Sequence, residues 1–376
     1  MRLERVPEKA QMIQLLSVDG ELASDGAAAE YLPFIHALSD DDLRQFHRDM
    51  VTTRRFDLEA TNLQRQGQLA LWPPSHGQEA AQVGSARATR PQDHIFPSYR
   101  EHSIAMIRGL DIVEVVKVMR GVSNGGWDPS ANNNFHLYTL VLGSQALHAA
   151  GYAMGVTLDG ATATGHPETD EAVVVYFGDG ATSQGDVSEA LVFAASFQAP
   201  ALFFLQNNQW AISVPVSVQS RVPLYLRSGG FGIPGIQVDG NDVLASYAVA
   251  RKNLEEIRSG GGPRFIEALT YRIGAHTTSD DPSKYRDDVD VDEWIAKDPI
   301  VRYEAFLRNR GEGDAFFADV AQEAEDFASD LRARTISMQP PTTDRMFDVV
   351  YSEPHPLMMQ QKQWLTDYEA SFGEGS

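Results

Sequence analysis

The stretch that most constrains the fold of this chain runs from Val173 to Ser213. An apolar run of β-branched and aromatic residues, Val173–Phe177, ends at Gly178-Asp179-Gly180, which is the pattern of a buried strand followed by a tight turn. Apolar residues then recur at helical spacing over 184–197, and a second apolar run begins at Ala201. The pattern predicts two parallel strands joined by a helix, and hence an α/β fold with a doubly wound, mostly parallel sheet.

Polar side chains follow both predicted strands. The carboxyl ends of parallel strands meet at one edge of a sheet, so Asp179 and Asn208, which are 29 residues apart, are expected to share a ligand. A carboxylate, a carboxamide oxygen and the irregular backbone at Gln209-Trp210 form an all-oxygen set, which suits Mg²⁺. Flanking glycines and the amides that open the next helix favour a diphosphate. The sequence therefore predicts a metal-bridged diphosphate with Asp179, Asn208 and Trp210 as the metal ligands.

Two other classes of function compete with this prediction, and so does the possibility that the motif is a turn that binds no ligand. A nicotinamide oxidoreductase needs Gly-x-Gly-x-x-Gly, but after Gly178 and Gly180 the next glycine is Gly185, so that fingerprint fails. A non-enzymatic scaffold subunit would not need to retain Asp179 and Asn208. Gly-Asp-Gly alone is a common turn after a strand, so the ligand site is favoured by the spacing to Asn208 and not by the turn itself.

The charge balance and the residue composition exclude several kinds of partner. With 31 Lys and Arg against 52 Asp and Glu, the formal net charge of −21 would repel nucleic acid and an anionic membrane. The chain contains no cysteine, which excludes disulfides, thiolate catalysis and Cys-based metal sites. Neither a signal-peptide pattern nor an apolar run of about 18 residues occurs, so a cytoplasmic location is expected.

Several motifs together resemble a known family. Gly178-Asp179-Gly180 followed by Asn207-Asn208 resembles the signature of thiamine-diphosphate (ThDP) enzymes. Over residues 43–307 the chain resembles more closely the α subunit of the E1 component of 2-oxo acid dehydrogenase complexes, of the pyruvate and branched-chain types. The further motifs that carry this resemblance are Arg65-Gln66-Gly67, Gly77-Gln78-Glu79-Ala80, Pro97-Ser98-Tyr99-Arg100, Val238-Asp239-Gly240, Tyr271-Arg272, His276 and Tyr285-Arg286.

The resemblance implies ThDP and Mg²⁺ as cofactors and assigns roles to individual residues. Tyr99 and Arg100 match the pair that holds the diphosphate, and Leu142 matches an apolar wedge under the thiazolium ring. His276 matches the active-site histidine beside a regulatory loop and is the expected catalytic residue. Taken singly, Arg100 would more commonly form a surface ion pair and His276 would more commonly be solvated. The cofactor-binding residues implied by the resemblance are Tyr99, Arg100, Leu142, Gly178, Asp179, Gly180, Ala181, Asn208 and His276.

The resemblance also implies partners and a substrate class. In this family a glutamate of the β subunit activates ThDP, so the chain is expected to be active only in an α2β2 heterotetramer with a β subunit, which passes its acyl group to lipoyl-bearing E2. The segment 276–281 favours a branched-chain 2-oxo acid such as 3-methyl-2-oxobutanoate. The apolar residues of Phe135–Leu142 are candidate walls of its pocket, and the equally weighted alternative is that they belong to the core. The segment 142–145 favours pyruvate instead, and acetoin, a potassium site and phosphorylation control stay open.

The rest of the pattern predicts three parts of the chain. Residues 1–38 are expected to form an N-terminal arm, flexible over 23–30. Residues 39–300 are expected to form the ThDP-binding α/β domain, and residues 301–376 a helical C-terminal appendage and tail. Within the domain, the polar segment 274–286 is expected to be a mobile loop.

Overall fold

The computed structural model describes residues 12–373, and its centre is a five-stranded parallel sheet with the strand order β1-β2-β3-β7-β6. A short antiparallel pair, β4 and β5, lies outside this sheet. The predicted α/β fold is therefore confirmed. The strands are β1 His94–Phe96, β2 Val173–Gly178, β3 Ala201–Asn207, β4 Trp210–Ala211, β5 Val214–Pro215, β6 Gly235–Asp239 and β7 Arg264–Leu269.

Helices cover both faces of the sheet, so its central strands are buried on both sides and read as continuous apolar runs. Residues of β2 alternate between two cores: Val173 and Val175 pack with α6 and α7, whereas Val174 packs with α3 and α10. The α-helices are α1 Leu32–His36, α2 Asp40–Arg65, α3 Glu79–Ala88, α4 His102–Ile107, α5 Val113–Arg120, α6 Ser144–Leu158, α7 Gly185–Phe197, α8 Val216–Gln219, α9 Tyr225–Ser228, α10 Val243–Glu256, α11 Asp288–Ile295, α12 Pro299–Asn309, α13 Asp314–Ser337, α14 Arg345–Asp348 and α15 Pro356–Ala370.

The central unit forms as the sequence predicts. β2, α7 and β3 follow one another, and β2 and β3 pair in parallel from Val173 with Ala201 to Gly178 with Gln206. Asp179 therefore follows the end of β2, and Asn208 follows the end of β3, at the same edge of the sheet. This shared edge places the two predicted ligands on one side of the molecule.

The N-terminal segment is packed against the domain, and part of the run 23–30, which was expected to be flexible, forms a 3-10 turn. Leu15 and Leu16 are buried, and their backbone amides donate to Asp242 Oδ2 at 2.7 and 2.6 Å. Ala28 is also buried, in a 3-10 turn that leads into α1. The same carboxylate of Asp242 caps α10 through Ala245 N, so one buried residue joins the segment to the domain. The division of the chain into three parts stays a prediction.

The C-terminal helices form as predicted and pack on α2. Tyr303 of α12 is buried and its hydroxyl donates to Leu43 O at 3.0 Å, while Val320 and Leu331 of α13 are buried. The tail contains α15. No helix between residues 12 and 373 combines the length and the apolar character needed to cross a bilayer.

A buried histidine lies where α2 meets α13. The ring of His47 lies 5.7 and 5.2 Å from the ring centroids of Phe316 and Phe317, and within the described chain neither ring nitrogen has a hydrogen-bond partner. Burial lowers the pKa of His47 to about 4, more strongly than nearby Glu304 raises it. An exposed histidine in an unfolded chain titrates near pH 6.5. The stability that this packing contributes is therefore fully present above about pH 6.5 and is lost as the pH falls toward 4.

Replacing His47 by leucine is expected to reduce this sensitivity to acid. Between pH 7 and pH 5 the wild-type chain loses up to about 2 kcal/mol of unfolding free energy through His47, and His47→Leu does not. Urea unfolding at both pH values measures the change in unfolding free energy for each protein. The other histidines contribute equally to wild type and variant, so their effect cancels when the two changes are subtracted. His166→Leu, a substitution of an exposed histidine, is the control. An equal pH dependence in wild type and His47→Leu would contradict the assignment.

Candidate cofactor site

A cavity of about 350 Å³ opens at the carboxyl edge of the sheet, and it brings together all the site residues that the sequence predicts. They come from five separate parts of the chain: the loop after β1, the turn before α6, the turn after β2, the segment after β3 and the segment after β7. The predicted residues that line it are Tyr99, Arg100, Leu142, Gly178, Asp179, Gly180, Ala181, Asn208, Trp210 and His276. Their shared location is a structural fact, and the role of each stays a prediction.

The turn after β2 is shaped by close packing. Asp179–Ser183 forms a 3-10 turn, closed by a hydrogen bond of 2.7 Å from Thr182 Oγ1 to Asp179 O. A Cβ atom at Gly180 would lie 2.8 Å from Ala211 Cβ, which is closer than real Cβ contacts come. A glycine is therefore required here, because this turn packs directly against the segment that follows Asn208.

Asp179 is an almost fully buried carboxylate. Its side chain is held by a neutral group, since Gln219 Nε2 donates to Oδ2 at 2.9 Å. Burial raises the pKa of Asp179 to about 6, although the hydrogen bond from Gln219 and the charge of Arg272 act in the opposite direction. A buried carboxylate whose direct partner is uncharged is stabilised by a bound cation, which would restore its ionised form. The donor chemistry at Asp179 therefore fits a metal ion.

Asn208 and Trp210 lie where the chain leaves the sheet. Gln209 between them has a φ of +69°, in the left-handed region, so the backbone turns sharply here. Asn208 Oδ1 accepts from Trp210 N at 3.2 Å, and Asn208 Nδ2 donates to Gln78 Oε1 at 3.3 Å. The carbonyl of Trp210 accepts a longer bond of 3.4 Å from Arg272. These contacts hold a carboxamide oxygen and a backbone carbonyl at one rim of the cavity.

The metal site proposed from these oxygens contains a single carboxylate. Within residues 12–373 no group of three or more His, Cys, Asp or Glu side chains is arranged to hold a metal ion. A site made of Asp179, the Asn208 amide and the Trp210 carbonyl would complete its coordination with ligand phosphates and water, as Mg²⁺ sites commonly do. The donor set is thus compatible with Mg²⁺ only in the presence of an anionic ligand.

Two buried guanidinium groups supply positive charge to the site. Arg100 donates to Pro74 O and, at 3.0 Å, to His276 O, and its guanidinium lies 5.3 Å from the ring centroid of Tyr99. Arg272 donates to Ile212 O and to a tyrosine hydroxyl, both at 2.8 Å, and burial lowers its pKa to about 10. These hydrogen-bond partners are carbonyls and a neutral hydroxyl, and within the described residues neither guanidinium is paired with a carboxylate, so both can stabilise an anion.

His276 lies between these two cations. Its Nδ1 faces Arg100 Nη2 at 3.3 Å and Arg272 Nη1 at 3.5 Å. Guanidinium groups only donate, so Nδ1 is the acceptor and Nε2 carries the proton of the neutral ring. Burial, reinforced by the two positive charges, lowers the pKa of His276 to about 4. The ring is therefore neutral at pH 7, and it is not the freely solvated histidine that a lone loop position would favour.

The segment that was expected to be a mobile loop is tied to the domain in this structure. His276 N donates to Asp280 Oδ2 at 2.9 Å, and the hydroxyl of Tyr285 donates to the same oxygen. Thr278 N donates to Trp72 O at 2.9 Å, and Trp72 N donates back to Thr278 Oγ1 at 3.0 Å. These bonds hold His276 against the cavity.

Several polar residues that line the cavity were missed by the sequence analysis. Glu101 is buried and accepts from Ser98 Oγ at 2.8 Å and from Gln206 Nε2 at 2.6 Å, and burial raises its pKa. The only sequence signal for these residues is adjacency, because Glu101 follows Arg100 and Gln206 precedes Asn207-Asn208. The polar residues that line the cavity and to which the sequence analysis assigned no role are Gln78, Ser98, Glu101, Gln145, Gln206 and Gln219.

The predicted apolar walls of a substrate pocket are not found in the cavity. Phe135 is fully buried in the core, stacked on Trp127, and Tyr138 packs beside it. Leu137 and Leu140 are exposed, at 43% and 63%. Of the predicted segment only Leu142 lines the cavity.

Comparisons with known proteins agree with this geometry. The family model described as dehydrogenase E1 component matches residues 47–319. The chain is 42% identical over 357 residues to the 3-methyl-2-oxobutanoate dehydrogenase subunit alpha of Mycobacterium tuberculosis (strain ATCC 25618 / H37Rv), covering 93% of this chain and 95% of that relative. It is 38% identical over 312 residues to the pyruvate dehydrogenase E1 component subunit alpha of Bacillus cereus, covering 82% and 80%. It is 37% identical over 331 residues to the protein of the same name from Acholeplasma laidlawii, covering 86% and 92%.

Proposed function

Because the chain belongs to the dehydrogenase E1 component family, we propose that it is the α subunit of an E1 enzyme that oxidatively decarboxylates branched-chain 2-oxo acids. The observation that carries this proposal is the cavity lined by the buried carboxylate of Asp179, the amide of Asn208 and the buried guanidinium of Arg100. The relative from Mycobacterium tuberculosis, named for 3-methyl-2-oxobutanoate, supports the branched-chain substrate over most of the chain.

The cofactors are ThDP, the cofactor of this family, and Mg²⁺. ThDP when bound supplies the carbanion that attacks the 2-oxo acid and the electron sink for decarboxylation. Asp179, Asn208 and the Trp210 carbonyl hold the metal ion, and Tyr99 with Arg100 binds the diphosphate. Gly178, Gly180 and Ala181 let the diphosphate approach the turn, and Leu142 supports the ring. Support for these roles comes from the cavity that all of them line.

His276 is the residue that we assign to acyl transfer. Its neutral ring presents a protonated Nε2, because Nδ1 is turned toward Arg100 and Arg272. The Nε2–H of a neutral imidazole can donate a hydrogen bond to an oxygen or sulfur atom of the incoming acyl acceptor and position it without adding charge to the site. Cofactor binding itself depends mainly on the diphosphate residues and on the metal ligands.

The partners are an E1 β subunit and the E2 component of a multienzyme complex. We expect an α2β2 heterotetramer and a lipoyl-bearing E2 as the acyl acceptor. Residues 12–373 contain one parallel sheet, which supports our expectation that the glutamate that activates ThDP in this family comes from the β subunit. Leu142 at the mouth of the cavity is 41% exposed, which is consistent with a site that a partner completes. The expected cytoplasmic location stays a prediction.

The substrate is tested by steady-state kinetics of the complex reconstituted with the β subunit. We expect kcat/KM for 3-methyl-2-oxobutanoate to exceed that for pyruvate by at least about tenfold, since each additional buried CH₂ group contributes about 0.8 kcal/mol. An artificial electron acceptor reports both reactions. The β subunit alone is the control, and unchanged activity without this chain would favour the scaffold alternative.

Pyruvate is the alternative substrate, and two relatives of 37% and 38% identity carry its name. A preference for pyruvate above about tenfold would contradict the branched-chain assignment and would make this chain the α subunit of a pyruvate dehydrogenase E1 instead. The family and the cofactor site would be unaffected by that result.

A further inference from the structure

We propose that Gln219 is a positioning residue that orients the carboxylate of Asp179 for the divalent cation. The inference rests on the proposed function, because it concerns the metal ion that would hold the cofactor's diphosphate. No sequence motif selects Gln219, which lies 40 residues beyond Asp179 in the chain. The contact between the two side chains carries the argument.

The first observation is the hydrogen bond itself. Gln219 Nε2 donates to Asp179 Oδ2 at 2.9 Å, and both residues line the cavity. Asp179 is 1% exposed, so its carboxylate depends on protein groups for its orientation. Because the amide engages one carboxylate oxygen, the other oxygen remains available as a ligand atom. Gln219 thereby selects which oxygen of Asp179 faces a cation.

The second observation is that Gln219 connects the two segments that supply the proposed ligands. It is the last residue of α8, and α8 is attached to the segment after β3 by a hydrogen bond of 3.0 Å from Val216 N to Gln209 O. The other end of the amide contacts the turn after β2, where Ser183 Oγ donates to Gln219 Oε1 at 3.4 Å. One side chain therefore fixes the turn of Asp179 relative to the segment that contains Asn208 and Trp210.

The chemistry of an amide suits this role. A lysine or arginine at this position would neutralise Asp179 and repel a divalent cation, and a second carboxylate would add repulsion between like charges. A neutral donor orients the carboxylate and leaves its charge for the metal. Hydrogen-bond partners that orient metal ligands in this way typically contribute 10- to 100-fold to metal affinity.

The test is the Mg²⁺ dependence of ThDP binding by the complex with the β subunit. Gln219→Met keeps the approximate length of the side chain and removes the donor, and Gln219→Asn keeps the amide but shortens its reach by one methylene. We expect both variants to raise the Mg²⁺ concentration for half-maximal ThDP binding about tenfold. Binding at saturating Mg²⁺ and the thermal unfolding midpoint of the cofactor-free complex should stay at their wild-type values.

Gln322→Met provides the matched control. In α13, Gln322 Nε2 donates to Asp326 Oδ1, also at 2.9 Å, so the control removes the same kind of bond far along the chain from the turn of Asp179. It should leave the Mg²⁺ dependence unchanged.

Two results would overturn the proposal. One is a wild-type Mg²⁺ dependence in both Gln219 variants, and the other is a loss of ThDP binding that saturating Mg²⁺ does not restore and that a lower unfolding midpoint accompanies. The second result would mean that Gln219 only stabilises the fold. Failure of the proposed cofactor chemistry is recognised separately, because the wild-type complex would then bind ThDP without any divalent cation.

Discussion

Replacing Asp179 by alanine is expected to weaken Mg²⁺-dependent ThDP binding by at least about a hundredfold, or roughly 2.7 kcal/mol. Asp179 is the only formally anionic residue among the three proposed metal ligands, and its buried carboxylate has a neutral partner in Gln219. Without it, the metal ion loses its anionic protein ligand and binds more weakly, and the diphosphate then loses the cation that would link it to the turn after β2. Calorimetric titration of the complex with ThDP in the presence of Mg²⁺ measures the effect.

Two further variants sharpen this test. Asp179→Asn keeps the shape of the side chain but removes its charge, and it should lose nearly as much affinity as Asp179→Ala. Asn208→Ala should act in the same direction because it removes a neutral ligand oxygen. Asp159→Ala is the control, since Asp159 is an exposed carboxylate at the end of α6. Wild-type ThDP affinity in both Asp179→Ala and Asn208→Ala would contradict the metal assignment.

Replacing His276 by alanine is expected to lower overall turnover with lipoyl-E2 by at least about a hundredfold, while ThDP affinity stays within a few-fold of wild type. Residues that transfer or position protons typically contribute 10²- to 10⁴-fold to a rate. The ring of His276 is half-buried and neutral, with Nδ1 turned toward two guanidiniums, so its Nε2–H is the group that can reach a reacting atom. Turnover and calorimetric binding are measured on the same reconstituted complex.

Comparing two acceptors separates acyl transfer from decarboxylation. With an artificial electron acceptor, His276→Ala should keep a larger fraction of wild-type activity than with lipoyl-E2, because the artificial acceptor bypasses acyl transfer. His166→Ala, which replaces an exposed histidine, is the control. Full turnover with lipoyl-E2 in His276→Ala would contradict the prediction and would mean that His276 has no catalytic role.

Local patterns in the sequence were sufficient for the framework of the fold and for the main site residues. The apolar runs of β2 and β3 are buried on both faces of the sheet and therefore read as strands from composition alone. Parallel pairing then placed Asp179 and Asn208 at one edge. Tyr99, Arg100 and His276 required the resemblance to a family, because a single arginine or histidine carries no periodic signal.

Only the tertiary structure decided which neutral groups complete the site and which apolar residues do not. Gln219 meets Asp179 across 40 residues and Arg100 meets His276 across 176, and no local pattern records contacts at such separations. Phe135 was a candidate for a substrate wall but lies in the core. The sequence could not distinguish the two places, because an apolar aromatic side chain is common in both. The packing of Leu15 and Leu16 depends on Asp242, which is more than 220 residues away. The periodicity of apolar residues and the local composition determine which helices and strands form, whereas side-chain contacts between distant elements determine the site.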